Sequence, residues 1–230
     1  MLHHFTISPI MVNLDALSAA LFIVCAFGIV GARQVGMCFK FFIVESIFLA
    51  LSAIVVGIGI GSYHLIGVGL VNLITKVFLL PYILLRIIPK AIYTRREISH
   101  VITIPSSMLI SLLLSLIAYF FSMPIVSLLT PSSLAHINIP VGIAGLLLGA
   151  YTVTVRREAL PQLLGILAME NGAFFAGISL AWNLSLITEL AGAFDILIMA
   201  FVVGILTRKI HEYTGSTVVG ELKMLKEEAN

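Results

Sequence analysis

Three charged residues stand inside otherwise apolar runs: Lys76 in "LITKVFLLPYIL", Glu170 in "LLGILAMENGAFF" and Asp195 in "LAGAFDILIM". A charge at the centre of a bilayer costs about 2.5 to 3.5 kcal/mol on insertion scales, so each needs a partner or a task. A lysine and two carboxylates offer two kinds of chemistry. In one, Lys76 pairs with Glu170 or Asp195 and the ion pair pins helices together. In the other, the carboxylates line a wet path and exchange protons, because burial disfavours their charge while a nearby ammonium favours it. Charged residues inside membrane spans weight the balance towards function. Glu45 and Glu189 fall nearer the ends of their runs, where a side chain reaches interfacial water, and they are candidate points for protons to join or leave the path. Asp15 is a weaker candidate. Asn72, one turn before Lys76, shares its site. Pro81, five residues after Lys76, removes a backbone donor and kinks that helix. Asn171 and Gly172 adjoin Glu170 as polar and packing support, and Gly172, Ala176 and Gly177 give a small-residue face for close helix contact.

The elements that must hold these residues are membrane helices. The chain is 60% apolar and 10% charged with a mean hydropathy of +1.14, whereas soluble domains carry about 25% charged residues. Spanning hydrocarbon takes roughly 20 apolar residues as helix. About seven such runs occur, near 9 to 31, 41 to 61, 64 to 88, 102 to 126, 137 to 155, 160 to 182 and 186 to 207. They are separated by "GARQVGMCFK", "PKAIYTRREISH", "TPSSLAHINIP" and "VRREALP". A β-barrel would alternate apolar with polar residues, and "SMLISLLLSLIAYFF" does not. The expected fold is all-α: one polytopic transmembrane helical bundle over 1–230, with residues 211–230 as a polar tail. Twelve of the thirteen Lys and Arg fall in alternate loops or after the last run, and Lys76 is the thirteenth. Loops rich in Lys and Arg stay cytoplasmic, which places the N-terminus outside and the C-terminus inside. The first run is too long, and lacks the preceding basic segment, for a secretory signal.

Several chemistries find no support. Cys25 and Cys38 form no C-x-x-C, Cys/His cluster or haem-attachment pattern, and metal or iron–sulfur sites need several converging ligands. There is no P-loop, dinucleotide fingerprint or nucleophile elbow. The net charge of +2 follows from loop topology and gives no reason to expect nucleic-acid binding. The chain is not expected to be catalytic alone, or to bind a metal or cofactor.

"LITKVFLLPYIL", "LLGILAMENGAFF" and "ITELAGAFDILIMAFVVGILTRKIHEYTGS" closely resemble the hydrogenase-4 component E family. The resemblance implies a membrane subunit of a multi-subunit [NiFe]-hydrogenase of the formate-hydrogenlyase type, in a prokaryotic cytoplasmic membrane. The NiFe centre and iron–sulfur clusters would then lie on partner subunits. The partners would be antiporter-like membrane subunits and peripheral hydrogenase subunits. The last three helices, within 137–210, also resemble the three-helix K-type subunit of complex I. "RREALPQLLGILAMEN" supplies Arg156, Arg157, Gly165 and Asn171 in step with that pattern. The glutamate is displaced: Leu167 holds the usual acidic position and Glu170 follows three residues later, about 4.5 Å along the axis. Asp195 takes the place of the glutamate of the final helix. On this resemblance Lys76, Glu170 and Asp195 belong to a buried polar axis that couples redox chemistry on other subunits to ion movement. Two other classes compete: a structural scaffold of a related redox complex, and a stand-alone transporter. The latter should show internal repeats with matching broken helices, and no such symmetry is evident.

Overall fold

Long apolar runs without internal breakers leave the backbone one way to satisfy itself in hydrocarbon, by helical hydrogen bonds. The computed structural model describes residues 8–87, 102–128, 133–180, 192, 197–198, 201–206 and 208–209. Among them it is helical, without strands. Six long helices result: α1 Pro9–Gly31, α2 Val35–Ile60, α3 Tyr63–Ile87, α4 Ile104–Leu128, α5 Ser133–Val155 and α6 Ala159–Leu180. The first five contain stretches long and apolar enough to cross a membrane. Phe201–Leu206 is helical within the seventh expected span. Glu189, Asp195 and the tail 211–230 lie outside the described residues.

The turns follow local chemistry. Pro9 occupies the first position of α1, where a missing amide costs nothing. Gly61 ends α2 in the left-handed region at φ 68, which favours glycine, and Ser62 N–H returns to Gly57 O at 2.8 Å. Ser62 then caps α3 by accepting from Leu65 N–H. The expected break over "GARQVGMCFK" is shorter than anticipated: α2 begins at Val35, and Lys40 is an exposed residue on it beside buried Cys38 and Phe39.

Successive helices alternate in direction. Ile29 of α1, Ala32 after it, Val35 of α2, Leu84 of α3 and Leu160 of α6 share one apolar cluster, so Arg33, Arg86 near the end of α3 and Arg156 lie at one end of the bundle. A second cluster, with Phe22, Leu49, Leu65 and Phe175, fills the other half. Among the described residues the closest helix contact is α5 against α6. A Cβ on Gly142, Gly149 or Gly172 would collide with the facing backbone at Ala176, Met169 or Leu146 respectively, the close approach that small residues permit between membrane helices.

Candidate functional site: a buried charged network

Between the two apolar clusters runs a polar layer. Lys76 Nζ makes an ion pair of 3.1 Å with Glu170 Oε1 and donates to Asn171 Oδ1 at 2.7 Å. Asn171 Nδ2 in turn donates to Glu45 Oε2 and to Ser46 Oγ, each at 3.1 Å. Ser46 Oγ in turn donates to Phe42 O of the preceding turn at 3.0 Å. Three helices, α2, α3 and α6, thus meet through one amide. Lys76, Glu45 and Asn171 are buried, whereas the Glu170 side chain is 39% exposed. The ion pair is therefore closed on one side and open on the other.

Local backbone explains why Lys76 reaches this layer. The middle of α3, Leu73–Leu79, widens into a π turn, and Leu80 N–H bonds Thr75 O five residues back. In that register the carbonyl of Lys76 would take the amide of residue 81, and Pro81 has none. Pro81 thus lies just beyond a wide turn centred on Lys76, a device that recurs at functional sites. Asn72 is buried one turn earlier. Glycines bring the other partner: Gly172, next to Asn171, presses against Gly145 and Leu146 of α5.

Two expectations need correction. Glu45 does not sit near a helix end in reach of interfacial water. Because α2 starts six residues earlier than expected, Glu45 lies about 15 Å into the helix and is fully buried. Its Oε1 has no hydrogen-bond partner. Asp15, rated weakest, is likewise fully buried, and its Oδ1 accepts from Ser52 Oγ.

The largest surprise is Arg156, read from sequence as an ordinary loop cation. It is 1% exposed, and its Nη2 donates to the carbonyls of Ile29, Val30 and Ala32 at 3.1, 2.5 and 3.2 Å. The last carbonyls of a helix have no intrahelical partner and carry its negative pole, and Arg156 answers both needs for α1. Burial pushes its guanidinium down from its usual value, an effect that neighbouring groups including Glu158 oppose. Its own carbonyl accepts from Gln162 Nε2 at 2.8 Å, which ties the α5–α6 turn to the start of α6. The apolar residues around "VRREALP" were the available signal, since a loop that buries Val155, Ala159 and Leu160 draws its arginine in with them.

Leu167, at the position where the K-type pattern carries an acid, is fully buried in the apolar cluster with Phe42, Leu80 and Leu84. A carboxylate there would have apolar neighbours; one turn on, Glu170 meets Lys76. Among the described residues no three His, Cys, Asp or Glu converge as metal ligands do.

Comparison with known proteins gives two kinds of relative. The chain is 29% identical over 180 residues to an uncharacterized protein of Mycobacterium tuberculosis, spanning 78% of this chain and 80% of that one. It is 30% identical over 156 residues to hydrogenase-4 component E of Escherichia coli K12, spanning 66% of this chain and 69% of that one, and equally to that of Shigella flexneri. No family model and no solved structure matches it.

Proposed function

Since the chain belongs to the hydrogenase-4 component E family, we propose that it is a non-catalytic membrane-arm subunit of a multi-subunit [NiFe]-hydrogenase, and that its buried charges couple redox chemistry on partner subunits to proton movement. The observation that carries this reading is the unbroken contact Glu170–Lys76–Asn171–Glu45. Two carboxylates on different helices share one ammonium, and the charge state of either changes the hold on Lys76. Lys76 and Glu170 stand 3.1 Å apart, where Coulomb energy away from water is large, so a proton gained or lost at Glu170 changes the hold on Lys76. The π turn supports the same reading, since a wide turn can rearrange without breaking the helix. The open side of Glu170 is where antiporter-like subunits, or the part of this chain outside the described residues, would meet the pair. The cytoplasmic membrane of a prokaryote, with the C-terminus inside, is the corresponding location. The partners would supply the NiFe centre and iron–sulfur clusters.

The test begins with a tagged chain purified from native membranes in mild detergent. Copurifying hydrogenase subunits and hydrogen-dependent dye reduction are expected. Glu170→Gln keeps the hydrogen-bonding shape and removes the charge. It should leave assembly and dye reduction intact while abolishing gradient-linked activity. Normal coupling in that variant would remove Glu170 from the mechanism and leave Lys76 as a helix clamp, the scaffold alternative.

A further inference from the structure

A second buried carboxylate lies outside the Lys76 network. Asp15 on α1 and Asn138 on α5 are both fully buried and adjacent, and Ser52 on α2 donates to Asp15 Oδ1. Asp15 Oδ2 and both amide atoms of Asn138, Oδ1 and Nδ2, make no hydrogen bond of good geometry, although the Asn138 amide lies within interaction range of the Asp15 carboxyl. Leaving such groups unmet in a protein interior is costly, which calls for a small polar occupant.

The atoms say which one. Two are acceptors and one is a donor. A water molecule donates to Asp15 Oδ2 and Asn138 Oδ1 and accepts from Asn138 Nδ2, three bonds in all, the usual number for an internal water. A metal cation would meet the two oxygens but also face the Nδ2 hydrogens, which repel it. We propose that Asp15, Ser52 and Asn138 bind an internal water, and that Asp15 takes and returns a proton through it. The proton arrives on that water, passes to Asp15 Oδ2, and the water is regenerated; the reverse step releases it. As a second station for protons crossing the bundle, this site rests on the membrane-arm reading above; as a water-bound, exchangeable carboxyl it does not.

Position gives the site its place. Asp15 is in the second turn of α1, Asn138 in the second turn of α5 and Ser52 in the last third of α2, all in the half of the bundle away from Arg156. Glu45 stands seven residues before Ser52, two turns or about 10 Å along the same face of α2. Leu49, Phe22 and Phe175, all fully buried, fill the space between, with the two rings 4.6 Å apart. The other ionisable groups on the helices packed against α1 are Lys40, Cys38 and Glu45 on α2, Tyr119 on α4, and His136 and Tyr151 on α5.

The experiment is infrared spectroscopy of the full-length chain in lipid nanodiscs, titrated in H2O and D2O. A carboxyl C=O band should appear as pH falls, shift on transfer to D2O, vanish in Asp15→Asn and persist in Glu45→Gln. Asn138→Leu, which removes both unmet amide atoms, should shift the band and slow its exchange. If Asp15→Asn leaves the spectrum unchanged at every pH, or the band does not respond to D2O, the site is dry and the proposal fails. Should Asp15→Asn not fold, the band's response to Ser52→Ala and Asn138→Leu decides in its place: no change in either overturns the proposal. An exchangeable Asp15 band in a chain that purifies without hydrogenase subunits would overturn only the functional reading. Hydrogenase partners with no such band would overturn only the water site.

Discussion

Replacing Gly172 by alanine adds one methyl group at the tightest point between α5 and α6. Its Cβ would lie 2.6 Å from the carbonyl carbon of Gly145 and 2.7 Å from the carbonyl oxygen of Gly142, where ordinary contacts begin at 3.4 Å. Leu146 N lies closer still, and all three obstacles are backbone, so no side chain can turn aside and the helices must separate by about 1 Å. Overpacking of this kind costs about 1 to 3 kcal/mol, against which the better helix propensity of alanine returns at most about 1 kcal/mol. The net effect is a loss of stability. Asn171, the neighbouring residue, moves with the helix. A shift of that size along its 3.1 Å bonds to Glu45 and Ser46 carries them beyond hydrogen-bond range. Thermal unfolding of the tagged chain in detergent should therefore show a lower Tm, and gradient-linked activity should fall even at temperatures where the protein stays folded. Ala173→Leu, at the exposed neighbouring position, is the control and should change neither. An unchanged or higher Tm with full coupling in Gly172→Ala would refute the claim that this contact sets the position of Asn171.

Arg156→Met should lower the Tm and the yield of monodisperse protein strongly, because it strips the charged donor from three buried carbonyls, and a hydrogen bond to a charged group contributes about 1.5 to 3 kcal/mol. Arg156→Lys should recover only part of the loss, since an ammonium on a flexible stem cannot reproduce the guanidinium's planar set of donors; equal stability of the two variants would sink the cap. Pro81→Ala returns an amide that the carbonyl of Val77, four residues back, can take in α geometry, and it removes the ring that clashes with that carbonyl, so it favours relaxation of the π turn to α geometry. One residue of register turns a helix by about 100°, so Lys76 should leave Glu170 and coupling should be lost with assembly retained. Full coupling in Pro81→Ala would show that the wide turn is incidental.

Much of the scaffold was legible because long apolar runs bounded by charge or proline leave few choices. α1 matches its expected span, and the ends of α3, α4 and α6 fall within a few residues. The start of α2 was not legible, and the reason is physical: a lone lysine on a membrane helix can lie on its outer face, so Lys40 did not mark a boundary. That error propagated, placing Glu45 at an interface when it is at the core. Pairing was half legible. Charge and position nominated Lys76 with Glu170 or Asp195, but composition cannot supply the π turn and the glycine contact that bring Lys76 to Glu170. Arg156 shows the converse limit. Positive charge in a short loop is a good guide to which loops lie together and says nothing about whether the side chain turns inward to cap a helix four elements back in the chain.

The place of Asn171 at the centre of the network constrains how any coupling through it can work. A carboxamide donates and accepts hydrogen bonds but does not give up or take on protons as a carboxyl or an amine does. It holds Lys76 through its oxygen and Glu45 through its nitrogen, so no proton passes from Glu45 to Glu170 by way of this side chain. What does pass is polarisation and position. A proton added to Glu170 would weaken its grip on Lys76 while leaving the 2.7 Å bond from Lys76 to Asn171, which points the ammonium back towards α2 and the unmet oxygen of Glu45. A proton removed would draw Lys76 outward again. The amide thus separates two carboxylates that share one positive charge, and in the proposed role that makes the network a switch set by charge, with any protons it governs travelling by water.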